Sequence, residues 1–386
     1  MRRATCILLL ALFFSGCAAT KLAPVTGPGF TKEEDEKRLW TRSEEEQAAI
    51  GRSDIIYRDK ELDSYLNGVA AKLQPPGVYK LIPFKIVVIR NPYCNAFAYP
   101  NGAIYVHTGI LSRMENEAQL ATLLAHEMSH STHRHQISGH RSFKNKAAFN
   151  ASMRSTLGSI PAVGELTNIL GDIGTAAAVT GHSRELESEA DMEGLKLVIK
   201  AGYKAEEAPK LFEHIKAELE EEDAKEPFFF GSHPRLQDRI RNYNSYLKAQ
   251  TGLKKGVINA ETFRKKTAGA VLENAFLDLK AGRFKSALRG GEKFVSIRPG
   301  DPRGHYLMGE ALRQRGDRGD AEAAEKHFRK ALSANASYAD AHKGLGLVYY
   351  KSGKKAKARD SFTTYLKLAP DARDRSYIQD YIAQSR

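Results

Sequence analysis

The run His126-Glu127-Met128-Ser129-His130 sets two imidazoles four residues apart with a carboxylate between them. On a helix, positions i and i+4 share one face a turn apart, so both rings can reach a single ion. The glutamate falls on the adjacent side, within reach of a water beside that ion, which is the arrangement used for metal-assisted hydrolysis. The apolar stretch before it, LATLLA (120–125), favours a helix packed into a core. The competing reading is a buried polar helix whose histidines are merely hydrogen-bonded.

Two histidines leave a catalytic zinc one protein ligand short. His133 lies on the same side of the helix, but at 1.5 Å per residue it sits about 10 Å along the axis from His126, too far to share one small ion. It also stands at the glycine position of the longer HExxHxxGxxH pattern, with Gln136 where that pattern needs its third histidine, so that arrangement is excluded. His133, His135 and His140 are expected on the surface or in loops. The segment HSRELESEADMEGLKL (182–197) supplies carboxylates instead. Glu187 and Asp191 fall i, i+4 on a second helix. One can bind a metal while the other accepts a hydrogen bond from a ligand imidazole. Glu185, Glu189 and Glu193 crowd the same helix, and the residues alone do not choose among the five.

These side chains need a frame. The spacing predicts helix over 44–73, strands at FKIVVIR (84–90) and AIYVH (103–107), and a turn-rich segment between the strands. One long helix is expected over 113–136, and further helices over 166–200 with Gly202 as a stop. The stretch 141–181, rich in Gly, Ser and Ala, is expected as a mobile lid between the two metal-binding helices.

The last third repeats itself. Gly282, Gly316 and Gly353 are spaced by 34 and 37 residues, each followed by an alanine (Ala287, Ala324, Ala358), while Gly309 and Gly346 precede the second and third by seven. This resembles tetratricopeptide repeats, whose helix pairs cross at small residues. The middle copy carries an insertion around Gly319, the first has Gly291 where an aromatic is usual, and YIQDYI (377–382) reads as a capping helix. Three such pairs would bind a peptide or protein in their concave face.

The chain has 386 residues and a formal charge of +13. Residues 1–250 hold 31 basic and 31 acidic side chains, and residues 251–386 hold 28 and 15, so the excess belongs to the repeats. That asymmetry calls for an acidic partner there. Nucleic acid is not expected, because the N-terminus reads as an export signal. MRRATCILLLALFFSGC (1–17) has a basic start and an apolar run too short to span a bilayer, and it closes on FSGC, which resembles a bacterial lipobox with Phe14 in place of the usual leucine. Cys17 would then carry lipid, Cys6 would leave with the signal, and Cys94 would be the single thiol of the mature chain, without a disulfide. With Ala18 following Cys17, the anchor is expected in the outer membrane, facing the periplasm.

HExxH followed by SR-x-x-E-x-E-A-D (Ser183, Arg184, Glu187, Glu189, Ala190, Asp191) resembles the HtpX-type zinc metallopeptidases, gluzincins whose family includes the CAAX prenyl endoproteases. NAFAYPNGAIYVHTGIL (95–111) and GSHPRLQDRI (231–240) resemble two further motifs of that family, and the likeness spans about residues 45–247. With a lipobox and repeats added, the chain is similar to periplasmic BepA-type lipoprotein peptidases. The resemblance implies a mainly α (α+β) chain: a signal peptide at 1–17, a linker at 18–43, a zincin-type peptidase domain with a small β-sheet at 44–250, and an α-solenoid of tetratricopeptide repeats at 265–386. It implies one Zn2+ held by His126, His130 and Glu187, Glu127 as general base, and Asp191 behind a ligand histidine. Arg239 is expected to pair with a carboxylate of the glutamate-rich helix. His233 could hydrogen-bond the oxyanion, occupy the open zinc position, or cap the helix near Pro234. The strand Ala103–His107 is expected at a sheet edge, where substrate could add as a strand. The implied function is cleavage of unfolded or stalled outer-membrane proteins, with the basic repeats recruiting substrate or docking to the assembly machinery. The alternative is a chaperone or assembly scaffold with a latent peptidase.

Overall fold

The computed structural model describes residues 22–28, 30–75, 77–142, 169–179, 181–221, 236–250 and 255–385. Cys17, His233 and most of the expected lid lie outside these residues.

Helix α1 (Glu34–Gly51) opens with three acids in its first turn, where they face the positive end of the helix dipole. It begins inside the segment expected as linker. Upstream of it, Val25 is buried and its N–H donates to the Thr132 carbonyl at 2.8 Å, so this stretch is fastened to the histidine-bearing helix. Helix α2 (Lys60–Leu73) is capped by Asp59, which accepts from the N–H groups of Glu61 and Leu62.

Three strands follow: β1 (Lys85–Ile89), β2 (Ala96–Ala98) and β3 (Ala103–His107). Their order is β1-β3-β2, with β1 parallel and β2 antiparallel to β3. The turn-rich segment thus hides a strand, Ala-Phe-Ala, whose three residues are all buried and show no alternation to betray it. The expectation that Ala103–His107 forms an edge is overturned. β3 is the central strand, its ladder filled on both sides, and no substrate can add there.

The expected helix over 113–136 is three helices, α3 (Thr108–Arg113), α4 (Glu117–Thr132) and α5 (His135–Ser142). The chain leaves α3 at Met114 in extended conformation, and Asn116 restarts it by capping the N–H of Gln119. After Thr132 it turns through Arg134, a non-glycine residue at φ 60°. Then come α6 (Asp172–Val179), α7 (Arg184–Lys200, capped by Ser183), α8 (Glu207–Glu221) and α9 (Leu236–Ala249). Gly202, at φ 82°, follows α7 as the expected stop. The main core joins α2, the sheet, α4, α7, α8 and α9.

The repeats are three helix pairs: α10 (Ala260–Lys280) with α11 (Phe284–Ile297), α12 (Pro302–Arg315) with α13 (Asp320–Ala334), and α14 (Ala339–Lys351) with α15 (Lys355–Leu368). Helix α16 (Arg375–Gln384) closes the stack. Gly282, Gly316 and Gly353 take φ of 74°, 72° and 70° at the three inter-helix turns, left-handed values that glycine adopts without strain. Gly309 and Gly346 mark the crossings, for a Cβ there would come within 2.7 Å of Phe328 and 2.5 Å of Phe362. No helix among the described residues is long and apolar enough to cross a membrane.

Candidate metal centre

Helix α4 is buried along its whole length, so its histidines face protein on every side. Its partner is α7. A Cβ at Gly194 would meet the His126 backbone nitrogen at 3.0 Å and the Ala125 carbonyl oxygen at 3.2 Å, so the glycine lets the two helices approach until their backbones nearly touch. That approach carries the acids of α7 onto the histidines of α4.

Burial then separates the five carboxylates that the residues alone left open. Glu185 is exposed, Glu193 pairs on the surface with Lys196 at 2.6 Å, and Glu189 is half-buried, 3.4 Å from His135 Nε2. Glu187 and Asp191 are buried and face α4. His126 Nε2 lies 3.5 Å from Glu187 Oε2, His130 Nε2 lies 3.4 Å from Glu187 Oε1, and the two Nε2 atoms are 3.1 Å apart. Ligands 2.0–2.1 Å from a tetrahedral zinc stand about 3.3 Å from one another. All three separations match that edge, and two imidazoles with a carboxylate are zinc's own donor chemistry. Among the described residues these three form the one group of His, Cys, Asp and Glu that could hold a metal ion. Burial, followed by His126 alongside, pushes His130 down to about 4, leaving its ring neutral and able to coordinate.

Asp191 lies behind His126, its Oδ1 2.9 Å from Nδ1. An Nε2 facing a metal must be unprotonated, which leaves the proton on Nδ1, donated to Asp191. Arg239 Nη2, 3.0 Å from the same Nδ1, then donates to Asp191 Oδ1 at 2.5 Å instead. Asp191 also accepts from Arg239 Nε at 3.0 Å and from the Tyr243 hydroxyl at 2.8 Å. Burial raises its carboxyl, but Arg239 and His126 outweigh burial and bring it to about 2. The Arg239 guanidinium rests over Phe212 at 4.1 Å. Arg239 thus pairs with Asp191 of the acid-rich helix. For Tyr243 the sequence holds one signal, its place four residues after Arg239 on α9. Replacing Arg239 by Met strands a buried carboxylate. The expected loss is about 3–5 kcal/mol of folding stability, read by urea unfolding of the metal-free protein.

His133 is half-buried, its ring nitrogen 3.0 Å from the Ser129 carbonyl, and stays outside the group. His140 is half-buried on α5. His135 departs from expectation. It is buried, not on the surface, with Nδ1 2.8 Å from His130 Nδ1. Burial, with His182 and His133 nearby, pushes it down to about 3. Glu127 is buried between His126 and His130 on α4, its charge acting on His130.

A buried HExxH helix, a carboxylate from a second helix and an Asp behind the first histidine make a group that could hold the metal ion of a metallopeptidase. Residues 57–246 match the sequence model of peptidase family M48, and residues 306–373 match a tetratricopeptide repeat. The chain carries an M48 peptidase domain followed by tetratricopeptide repeats. It is 32% identical over 170 residues to mitochondrial metalloendopeptidase OMA1 of Schizosaccharomyces pombe, a match covering 43% of this chain and 47% of that protein. It is 27% identical over 193 residues to beta-barrel assembly-enhancing protease of Escherichia coli, covering 48% and 39%. OMA1 of Arabidopsis thaliana is 29% identical over 160 residues, covering 42% and 30%. Each match spans less than half of the relative's own length.

Proposed function

We propose that the protein is a zinc-dependent endopeptidase that cleaves unfolded or stalled outer-membrane proteins. The observation that carries this reading is the 3.1–3.5 Å convergence of His126, His130 and Glu187 beside a buried Glu127. His126, His130 and Glu187 would hold the ion, with Asp191 fixing the tautomer of His126. Zinc would supply Lewis acidity, polarising the scissile carbonyl and making water acidic enough to yield its proton near neutral pH. Glu127 takes that proton on its carboxylate and passes it to the nitrogen of the leaving amine. His233 would donate to the oxyanion, block the open ligand position until substrate arrives, or cap the helix near Pro234. Slower cleavage by His233→Ala marks the first role, faster cleavage the second, and unchanged cleavage the third.

The relatives named for β-barrel assembly, the basic repeats and the lipobox-like Cys17 together support a lipid-anchored periplasmic protein at the outer membrane, its repeats recruiting substrate or the assembly machinery. The test is digestion of an unfolded outer-membrane β-barrel protein. Cleavage is expected to disappear with a zinc chelator and return on adding Zn2+. Cleavage indifferent to chelation overturns the reading. A zinc-loaded protein that prevents aggregation of the same substrate without cutting it favours the scaffold.

A further inference from the structure

We propose that His135 is a positioning residue for His130, holding the second imidazole of the pair by its Nδ1 as Asp191 holds the first. The inference rests on the reading of His126, His130 and Glu187 as metal ligands. His130 turns Nε2 toward His126 and Glu187, at 3.1 and 3.4 Å, so as a ligand it must offer a lone pair there. A neutral imidazole has one N–H, and that proton is left on Nδ1. The atom facing Nδ1, at 2.8 Å, is His135 Nδ1, which therefore accepts. His135 is thereby fixed with its own proton on Nε2, which lies 3.4 Å from Glu189 Oε2. On another side, His182 stacks over His130 with ring centroids 4.1 Å apart. The ring is thus contacted at Nδ1 by His135 and on one face by His182.

The backbone is bent to achieve this. On a continuous helix His135 would point about 140° away from His130, since five residues advance about 500°. Arg134 breaks the helix at φ 60°, a left-handed conformation that residues with a side chain adopt rarely. It is held there by a buried ion pair with Glu36 at 2.6 Å and by Phe30, whose ring lies 5.3 Å from the guanidinium. The left-handed turn at Arg134 brings the His135 ring round to the side of His130.

The test compares zinc affinity, by competition with a fluorescent chelator, in wild type, His135→Phe, His135→Asn and His130→Ala, with thermal unfolding of each metal-free protein alongside. His135→Phe keeps the bulk and removes the acceptor, so zinc binding is expected to weaken by about 10–100-fold. His135→Asn, whose Oδ1 can stand where Nδ1 stood, is expected to recover most of the loss, a rescue that a purely space-filling role would not give. Should the Phe variant fail to fold, His135→Ala carries the same comparison. Zinc binding within about twofold of wild type in His135→Phe or His135→Ala, with His130→Ala defective, overturns the proposal and leaves the metal-site reading standing. Unchanged binding in His130→Ala overturns that reading itself.

Discussion

Glu127→Gln is expected to lower kcat against an unfolded β-barrel protein by about 10²–10⁴-fold, the usual contribution of a positioned general base. The substitution keeps shape and volume and replaces the buried carboxylate between His126 and His130 by an amide that cannot take up a proton. His126, His130 and Glu187 would be taken up by the ion, and Asp191 is engaged by Arg239, Tyr243 and His126. Zinc should remain bound at wild-type stoichiometry, because the three converging atoms are untouched. The measurement is therefore double: turnover by gel densitometry, and metal content by elemental analysis. A variant that keeps both zinc and turnover would remove Glu127 from the chemistry and require another base. A variant that loses zinc would show that Glu127 shapes the metal site itself.

The centre was partly legible because its spacing is local. His126 and His130 are i, i+4 on one helix, and so are Glu187 and Asp191. Once two helices are expected, each pair has a face. What the residues could not decide was which acids turn inward, since Glu185, Glu189 and Glu193 have the same chemistry as Glu187. That choice is made by Gly194, which sets how closely α7 approaches α4, and it exists only in three dimensions. His135 was misplaced for a related reason. Periodicity carries a helix smoothly through His133 and Arg134, and the left-handed turn that reverses its face is stabilised by Glu36, about a hundred residues away in sequence. β2 was missed because a fully buried strand of three residues has no alternation to detect. With β2 unseen, β3 looked like an edge.

Ending the chain after Gln250 is expected to unfold the peptidase domain, whereas ending it after Gly300 is expected to preserve it. The residues between the two family matches, 247–305, contain the first helix pair, and this pair is built into the peptidase core. Phe263 and Ala270 of α10 lie in the same apolar cluster as α4 and the sheet, and Phe263 is fully buried. The connection is strongest around the start of α4. The N–H of Glu117 donates to the Ile258 carbonyl at 2.9 Å, and its buried carboxylate accepts from Asn259, Tyr65, Tyr203 and Lys72. Lys293 of α11 caps the carbonyls of Ser112 and Met114 at 3.0 and 2.6 Å, and Thr108 donates to Asn274 at 3.0 Å. Glu218 of α8, paired with Arg113, also receives Ser286 at 2.8 Å and Arg289 at 3.2 Å. Removing a buried Phe side chain alone costs about 3–5 kcal/mol. Set against the 5–15 kcal/mol by which domains are typically stable, its loss together with these bonds leaves little margin, roughly none for a domain at the lower end. The two truncations are to be compared by thermal unfolding and limited proteolysis. A fragment ending at Gln250 that melts cooperatively near the full-length temperature would make the first pair an appended repeat. Failure of that fragment, with survival of the one ending at Gly300, would show that the repeat stack grows from the peptidase itself, so that whatever docks on the repeats pulls directly on the N-terminus of the helix carrying His126, Glu127 and His130.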